Sequence, residues 1–542
     1  MSSISHSFSP DKICGMVSIH PLECPINPSL ISDIKTPRQS MYGKGAFTIN
    51  ASEYPDGFFI KFNTHPKYAN CKETNHSDWK GEIKTFSCKI TKHPSFLEIL
   101  WLDILFTILF LFGVIVLFVL TYQYGNILIP YLHQKNSVGK SDLEIYDNLQ
   151  SENWQKIENK RHMFIQNDLY YWMVIIITIC YAIPAIQLVF KHHLEMKTTG
   201  DNDICYYNFL CAIPWYYMDF NHLFSNIGYI SFGFTFILIV KFQWKKQNEK
   251  AKEEKGIPKF SGVYYAMGLS LMAEGCLSGF YHVCPNEQNF QFDTTFMYVI
   301  SALMTIKIYQ FRHPDVSSNA YKIFLFLSLV LLLQAAADNI ISQQVLWVIL
   351  TIVYLYVVMQ LSSILYNSGK WNTPYQIFEN LQEFWFGGFK LSGTINKTKL
   401  IFVVCFNIIN LGFIVFGNIS QNLPLSDFFL FVFMGNLMLY FVYYFIMKLF
   451  RKERITVAAY IFLFFVIVSG PPAMYLFKSK TKTTRVSPAK SRNLNEDCIT
   501  NMYDAHDLWH LISAEAIFSF YMLLLVIDDG IADTPRTNIH IF

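Results

Sequence analysis

Apolar residues along this chain gather into eleven blocks, near 99–121, 169–190, 222–241, 261–282, 291–311, 320–338, 343–366, 399–417, 425–449, 455–477 and 505–527. Each block is long enough to cross about 30 Å of hydrocarbon, with allowance for tilt. The pattern predicts an all-α polytopic membrane protein with about eleven transmembrane helices over residues 97–542. Three polar connections are long, at 123–168, 368–398 and 478–504. Residues 1–96 read differently. Gly45–Ile49 and Gly57–Phe62 alternate in the manner of strands, which predicts a short β-rich segment ahead of the helices.

Composition strengthens this division. A chain of 542 residues has the length of about three or four soluble domains. Yet 52% of its residues are apolar and only 15% charged, and the apolar ones come in long blocks, not in amphipathic periods. The net charge of +3 gives no global attraction toward nucleic acid or an acidic substrate. The start, Met-Ser-Ser-Ile-Ser-His, has no basic stretch followed by an apolar core, so it does not read as a cleavable signal peptide.

Basic residues orient the helices. Lys156, Lys160 and Arg161, the Lys245–Lys259 cluster, and Arg451, Lys452 and Arg454 fall in one set of loops, which the positive-inside rule makes cytoplasmic. The N-terminus is then outside and the C-terminus inside. The exception is 478–492, where Lys478, Lys480, Lys482, Arg485, Lys490 and Arg492 fall outside. Of eleven cysteines, Cys180, Cys276 and Cys405 lie within spans, and the other eight (Cys14, Cys24, Cys71, Cys88, Cys205, Cys211, Cys284, Cys498) lie on the outer side. An even outer set fits disulfides in an oxidising space, with the pairing open. The sequons Asn50-Ala-Ser and Asn75-His-Ser share that side, as expected of a glycoprotein. An outer segment of this length ordinarily follows a signal peptide. The expectation is that the first span translocates its own N-terminus, or that an upstream part is missing.

Ionisable groups at membrane depth are costly and mark functional sites. Glu274, Ser278 and His282 are four apart at the end of the fourth span and share one helix face. Asp293 opens the fifth span, and His506 and His510, also four apart, begin the eleventh. The predicted topology brings all of them to one depth on the outer side. Three histidines, His282, His506 and His510, suit a tetrahedral Zn²⁺ whose fourth position is left for water. Zn²⁺ lowers the pKa of such a water to about 7. Asp293 is positioned to take its proton and Ser278 to hydrogen-bond the oxyanion, which is the layout of a hydrolase. The plain alternative is that histidine pairs near a membrane end are interfacial and that a lone Ser or Asp is a cap. For His222 and Asn226, at the start of the third span, the favoured reading is capping or packing.

At these residues the chain resembles the systemic RNA interference defective (SID) transmembrane family. The resemblance lies in Tyr264–Gly268, Glu274-Gly275, Ser278, Tyr281–Asn286 and Asn289–Thr294. It lies also in Tyr309–Asp315, in Phe220-Asn221-His222 with Ser225–Tyr229, and in His506-Asp507-Leu508-Trp509-His510. It covers 97–542. That family is similar to the CREST superfamily of membrane hydrolases, with a seven-helix core, which includes alkaline ceramidases and progestin and adiponectin receptors. The superfamily pattern of Ser, His four later, Asp eleven after that, and a late His-x₃-His falls on Ser278, His282, Asp293, His506 and His510. The resemblance implies zinc on the three histidines, with Ser278 and Asp293 around it. The family carries two β-rich extracellular domains after a signal peptide. Here 1–96 looks like a remnant of the second, with Gly43–Ala46 and Gly57–Ile60 as its terminal strands, as expected of a truncated form or isoform.

Three functions follow as expectations. Uptake of double-stranded RNA rests on the resemblance, with 478–492 as the outer basic stretch for phosphates. A zinc-dependent lipid amidase or esterase, ceramidase-like, rests on the constellation itself. Cholesterol binding or uptake rests on the family, and Leu303-x₅-Tyr309-x₂-Arg312 fits a proposed sterol pattern. The expected partners are double-stranded RNA, membrane lipids, cholesterol and a second copy in a homodimer. The expected location is the plasma membrane or an endolysosomal membrane.

Overall fold

The computed structural model describes residues 2–8, 14–22, 36–49, 51–63, 86–92, 96–128, 160–215, 218–247, 255–257, 260–312, 320–340, 343–366, 397–420, 425–480, 486–535 and 538–540. Asn50 of the first sequon, the whole of the second, Cys24, Cys71, Lys156, Lys482 and Arg485 lie outside the described residues.

The β-rich segment is one antiparallel sheet of six strands: β1 (Ser2–Phe8), β2 (Cys14–Pro21), β3 (Arg38–Tyr42), β4 (Lys44–Ile49), β5 (Phe58–Asn63) and β6 (Phe86–Lys92). Their order is β5-β2-β3-β4-β1-β6. The two strands expected from alternation are β4 and β5. Gly43, at φ +82°, turns β3 straight into β4, a conformation that only glycine adopts without strain. Val17, Ile19, Met41, Phe47 and Ile49 form the buried core of this sheet.

Each of the eleven expected spans has a long helix. In chain order these are α1 (Phe96–Leu128), α2 (Lys160–Thr199), α3 and α4 (Phe220–Phe224 and Ile227–Gln247), α5 (Ser261–Tyr281), α6 (Thr295–Arg312), α7 (Ala320–Ile340), α8 (Gln343–Tyr366), α9 (Lys397–Ile419), α10 (Leu425–Phe450) and α11 (Val457–Lys480). After a short α12 (Pro488–Asn493), α13 (Ala505–Val526) completes the set. Eight of these segments are long and apolar enough to cross a membrane. Helices α5 and α6 are not among those eight. They are lined with buried polar groups, Ser270, Glu274, Ser278, Lys307 and Arg312, and face other helices more than lipid. The third span is broken between α3 and α4, because Ser225 Oγ (3.0 Å) and Asn226 Nδ2 (2.9 Å) both donate to the His222 carbonyl and compete with the helical ladder there.

The helices sort by what they bury. On α1, α8 and α9, Phe106, Ile352 and Ile401 are exposed, as lipid-facing residues are. Helix α13 is buried along almost its whole length, between α11, α4 and α6. Its polar groups Asp507, His510, Ser513, Glu515 and Ser519 are buried there along with its apolar ones. Its Phe518 stacks on Phe118 and Phe232 from α1 and α4. Helices α4 and α5 touch backbone to backbone: a Cβ on Gly233 would lie 2.6 Å from the Gly268 carbonyl oxygen, and one on Gly268 3.0 Å from that of Gly233.

Two polar clusters lock the ends of the bundle. At one end Arg312 binds Glu453 (2.6 Å) and Asp528 (3.1 Å), and Lys448 binds Asp528 (2.6 Å) and Glu453 (2.9 Å). Leu303 and Arg312 are both buried, and Arg312 is spent in this network. The sterol pattern proposed for this run therefore does not form a lipid-facing surface. At the other end Arg492, from α12, donates to the Ser40 carbonyl (2.8 Å) and to Asp203 (2.6 Å) and so ties the sheet to the helices. It is buried. One basic residue of the stretch 478–492 is thereby a structural tie and not a free phosphate contact.

Candidate metal centre

Helix α13 begins with a capping box. Asp504 accepts from the backbone N–H of His506 and Asp507 (2.9 Å each), and Asp507 accepts from that of Asp504 (3.2 Å). This fixes the first turn, so His506 and His510 project from one face at helical spacing. His282 is the C-cap of α5. Asp293 ends a 3-10 turn, Asn289–Asp293, that precedes α6, one short element earlier than the expected start of a helix. Two disulfides brace this rim. Cys205–Cys284 closes beside His282, and Cys211–Cys498 joins the approach to α3 with the approach to α13. Cys14 is also disulfide-bonded, and Cys180, Cys276 and Cys405 are free, as the division between outer and span cysteines predicts.

The structure brings every expected site residue together. Ligand atoms of His282, Asp293, His506 and His510 all lie within 4.8 Å of one another. The Nε2 atoms of His282 and His510 are 3.0 Å apart, and His506 Nε2 is 3.7 Å from Asp293 Oδ2. Ser278 Oγ donates to Asp293 Oδ1, so the serine reaches the carboxylate directly. Asp293, His282 and His510 are buried, and His506 is partly exposed.

These residues fit a zinc ion. Three imidazoles and one carboxylate form a donor set typical of zinc, with nitrogen and oxygen ligands in one shell. Asp293 Oδ2 is buried without a hydrogen-bond partner among the described residues. A buried carboxylate oxygen in that state, facing imidazole nitrogens, is stabilised by a cation.

One residue read from sequence as capping or packing does more. His222, on α3, binds Asp507 Oδ1 through Nδ1 (2.8 Å) and lies against His282, with the ring centroids 5.7 Å apart. His222, Asp504 and Asp507 also form a close group. His222 Nδ1 is held by Asp507, and Asp504 by the α13 cap and by Asn208 (2.9 Å), while His222 Nε2 has no hydrogen-bond partner among the described residues. The group is a hydrogen-bond network beside the candidate metal site. The separation of 285 positions between His222 and Asp507 hid this pairing from a sequence reading. The Asn226 side chain donates to the His222 carbonyl (2.9 Å), in keeping with packing.

Comparisons with known proteins agree with this picture. A family model described as the dsRNA-gated channel SID-1 matches residues 4–542. SID1 transmembrane family member 1 of Homo sapiens is 34% identical over 424 residues, which cover 76% of this chain and 51% of that protein. Its Mus musculus counterpart is 33% identical over 424 residues, with the same coverage. Cholesterol uptake protein 1 of Caenorhabditis elegans is 35% identical over 390 residues, covering 70% of this chain and 51% of that protein. The chain spans about half the length of these relatives.

Proposed function

Because the chain belongs to the family of the dsRNA-gated channel SID-1, we propose that it serves the uptake of double-stranded RNA across a membrane and carries a zinc site of hydrolase type in its helical bundle. The family match along residues 4–542 supports the first part. The convergence of His282, Asp293, His506 and His510 within 4.8 Å carries the second. The reading places the sheet and the disulfides outside and the C-terminus in the cytoplasm, in the plasma membrane or an endolysosomal membrane. A homodimer is part of the same reading.

In the proposed site His282, His506 and His510 would hold zinc, and Asp293 lies within 4.8 Å of their ligand atoms. The ion supplies Lewis acidity for hydrolysis of an acyl bond. Ser278 holds Asp293 Oδ1 and so aims Oδ2 into the site, where that oxygen can accept a proton. The buried histidine rings keep bulk water from the inner side of the centre. A lipid amide or ester is the substrate class, since the site opens at the end of membrane helices. The similarity to a cholesterol uptake protein favours a second reading, sterol binding within the same bundle.

Metal analysis of purified protein tests the site. Stoichiometric zinc that disappears in His506→Ala/His510→Ala is expected, and its absence from wild type overturns the zinc reading. Lipid hydrolysis lost in Ser278→Ala separates a catalytic from a structural metal. Duplex RNA binding that weakens steeply with salt, and weakens further when Lys478, Lys480, Lys482 and Arg485 become Ala, is expected of RNA capture. Salt-independent binding, or none, removes it.

A further inference from the structure

We infer that Asp507 and His222, neither of them a metal ligand, form the link that sets the spacing of the metal site's two walls. This rests on the zinc site proposed above. One wall is α13, which carries His506 and His510, and the other is the end of α5, which carries His282. The disulfides Cys205–Cys284 and Cys211–Cys498 tie both walls to the 205–211 segment, while Asp507 and His222 join them beside the ligand residues themselves.

Asp507 is fully buried, one residue after His506 and three before His510. Its two carboxylate oxygens are shared among three donors. Oδ1 binds His222 Nδ1 at 2.8 Å, while Oδ2 binds Asn221 Nδ2 at 3.2 Å and the Asp504 backbone N–H at 3.2 Å. Asn221 is itself anchored on the Cys211 carbonyl (2.6 Å), next to the disulfide to Cys498. The carboxylate therefore has no freedom to follow a moving helix. His222 carries the constraint onward. Its ring lies between Asp507 and the face of His282, at 28° to that ring. The chain of contacts runs from α13 through Asp507 and His222 to His282, and closes across the site through the 3.0 Å approach of His282 and His510. Outer groups of this kind keep ligands at their bonding positions, and their loss typically weakens metal binding about 10–100-fold.

The test is zinc affinity of the purified full chain, measured by competition with a chromogenic chelator, with zinc alone as the probe. Asp507→Asn keeps the volume but weakens the carboxylate's hold on its three donors. His222→Phe keeps a ring against His282 but loses the Nδ1 donor. Both are expected to bind zinc about 10–100-fold more weakly. His222→Asn retains a donor near the Nδ1 position and is expected to fall between His222→Phe and wild type. Lys448→Met, in the ion network at the opposite end of the bundle, is expected to keep wild-type zinc affinity. Formation of the Cys211–Cys498 disulfide shows that each variant has folded. Should Asp507→Asn fail that check, the two His222 variants carry the test. Zinc affinity within twofold of wild type in His222→Phe overturns the inference, as does an equal loss in Lys448→Met. A wild type without zinc removes the proposed site itself, an outcome distinct from either.

Discussion

Arg312→Met is expected to cost this protein about 3–5 kcal/mol of stability, the usual effect of removing one partner from a buried ion pair. Two cations, Arg312 and Lys448, face two anions, Glu453 and Asp528, so the cluster is neutral as it stands. The side chains are 1%, 0%, 8% and 3% exposed in that order, which rules out the solvent screening that makes surface pairs weak. Met leaves one buried negative charge in excess. It also removes donors to Tyr444 (3.0 Å) and to the His540 carbonyl (3.2 Å). Arg312→Met/Glu453→Gln restores neutrality, so its loss should fall short of the sum of the single losses by about 0.5–3 kcal/mol, the range for coupled neighbours. The assay is reversible unfolding in mixed micelles with increasing denaturing detergent, for wild type, both single variants and the double variant. A single Arg312→Met variant within about 0.5 kcal/mol of wild type, the range of an uninvolved surface change, refutes the reasoning. So does a double variant that loses the full sum.

Three other outcomes follow from the structure. Burial raises the pKa of Glu453, but Arg312 and Lys448 more than offset this and hold it below its ordinary value of 4.5. Its stabilisation is therefore complete above pH 4.5 and is lost as pH falls below that value. The stability gap between wild type and Glu453→Gln, followed by unfolding at stepped pH, should shrink on acidification. Gly233→Val puts a Cβ 2.6 Å from the Gly268 carbonyl oxygen and should destabilise by about 1–3 kcal/mol. Gly412→Ala, where a Cβ meets nothing within 4 Å, should be tolerated, and the thermal midpoints of the two variants compare them. Arg492→Ala removes the buried ties to Ser40 and Asp203 and should speed proteolytic separation of the sheet from the helices, as limited proteolysis would show.

Membrane helices are easy to read because the signal is one-dimensional. A block of about twenty apolar residues carries its own reason to be a helix, since the bilayer leaves its backbone no other partner. Each of the eleven blocks accordingly has its helix, and the polar helices α5 and α6 were recognisable by length. The close group of His282, Asp293, His506 and His510 was legible for a related reason. Ser278 with His282, and His506 with His510, announce themselves at helical spacing, and the alternation of topology places them on one side. What stayed hidden depends on pairings between distant stretches. Arg312 meets Glu453 across 141 residues and Asp528 across 216, and His222 meets Asp507 across 285. No local pattern marks such partners. The pairings of Cys205 with Cys284 and of Cys211 with Cys498 were likewise beyond spacing alone.

The burial of α13 bears on how the protein is made. Its His506 and His510 are synthesised more than two hundred residues after His282. The helix has to enter a space already bounded by α4, α6 and α11, and the Cys211–Cys498 bond can close only once the approach to α13 has emerged. Until then His282 and Asp293 sit in a bundle that lacks its central helix. The cluster of His282, Asp293, His506 and His510 thus assembles late in biosynthesis. A bundle interrupted before α13 would expose a polar groove to lipid, a defect that membrane quality control is suited to detect.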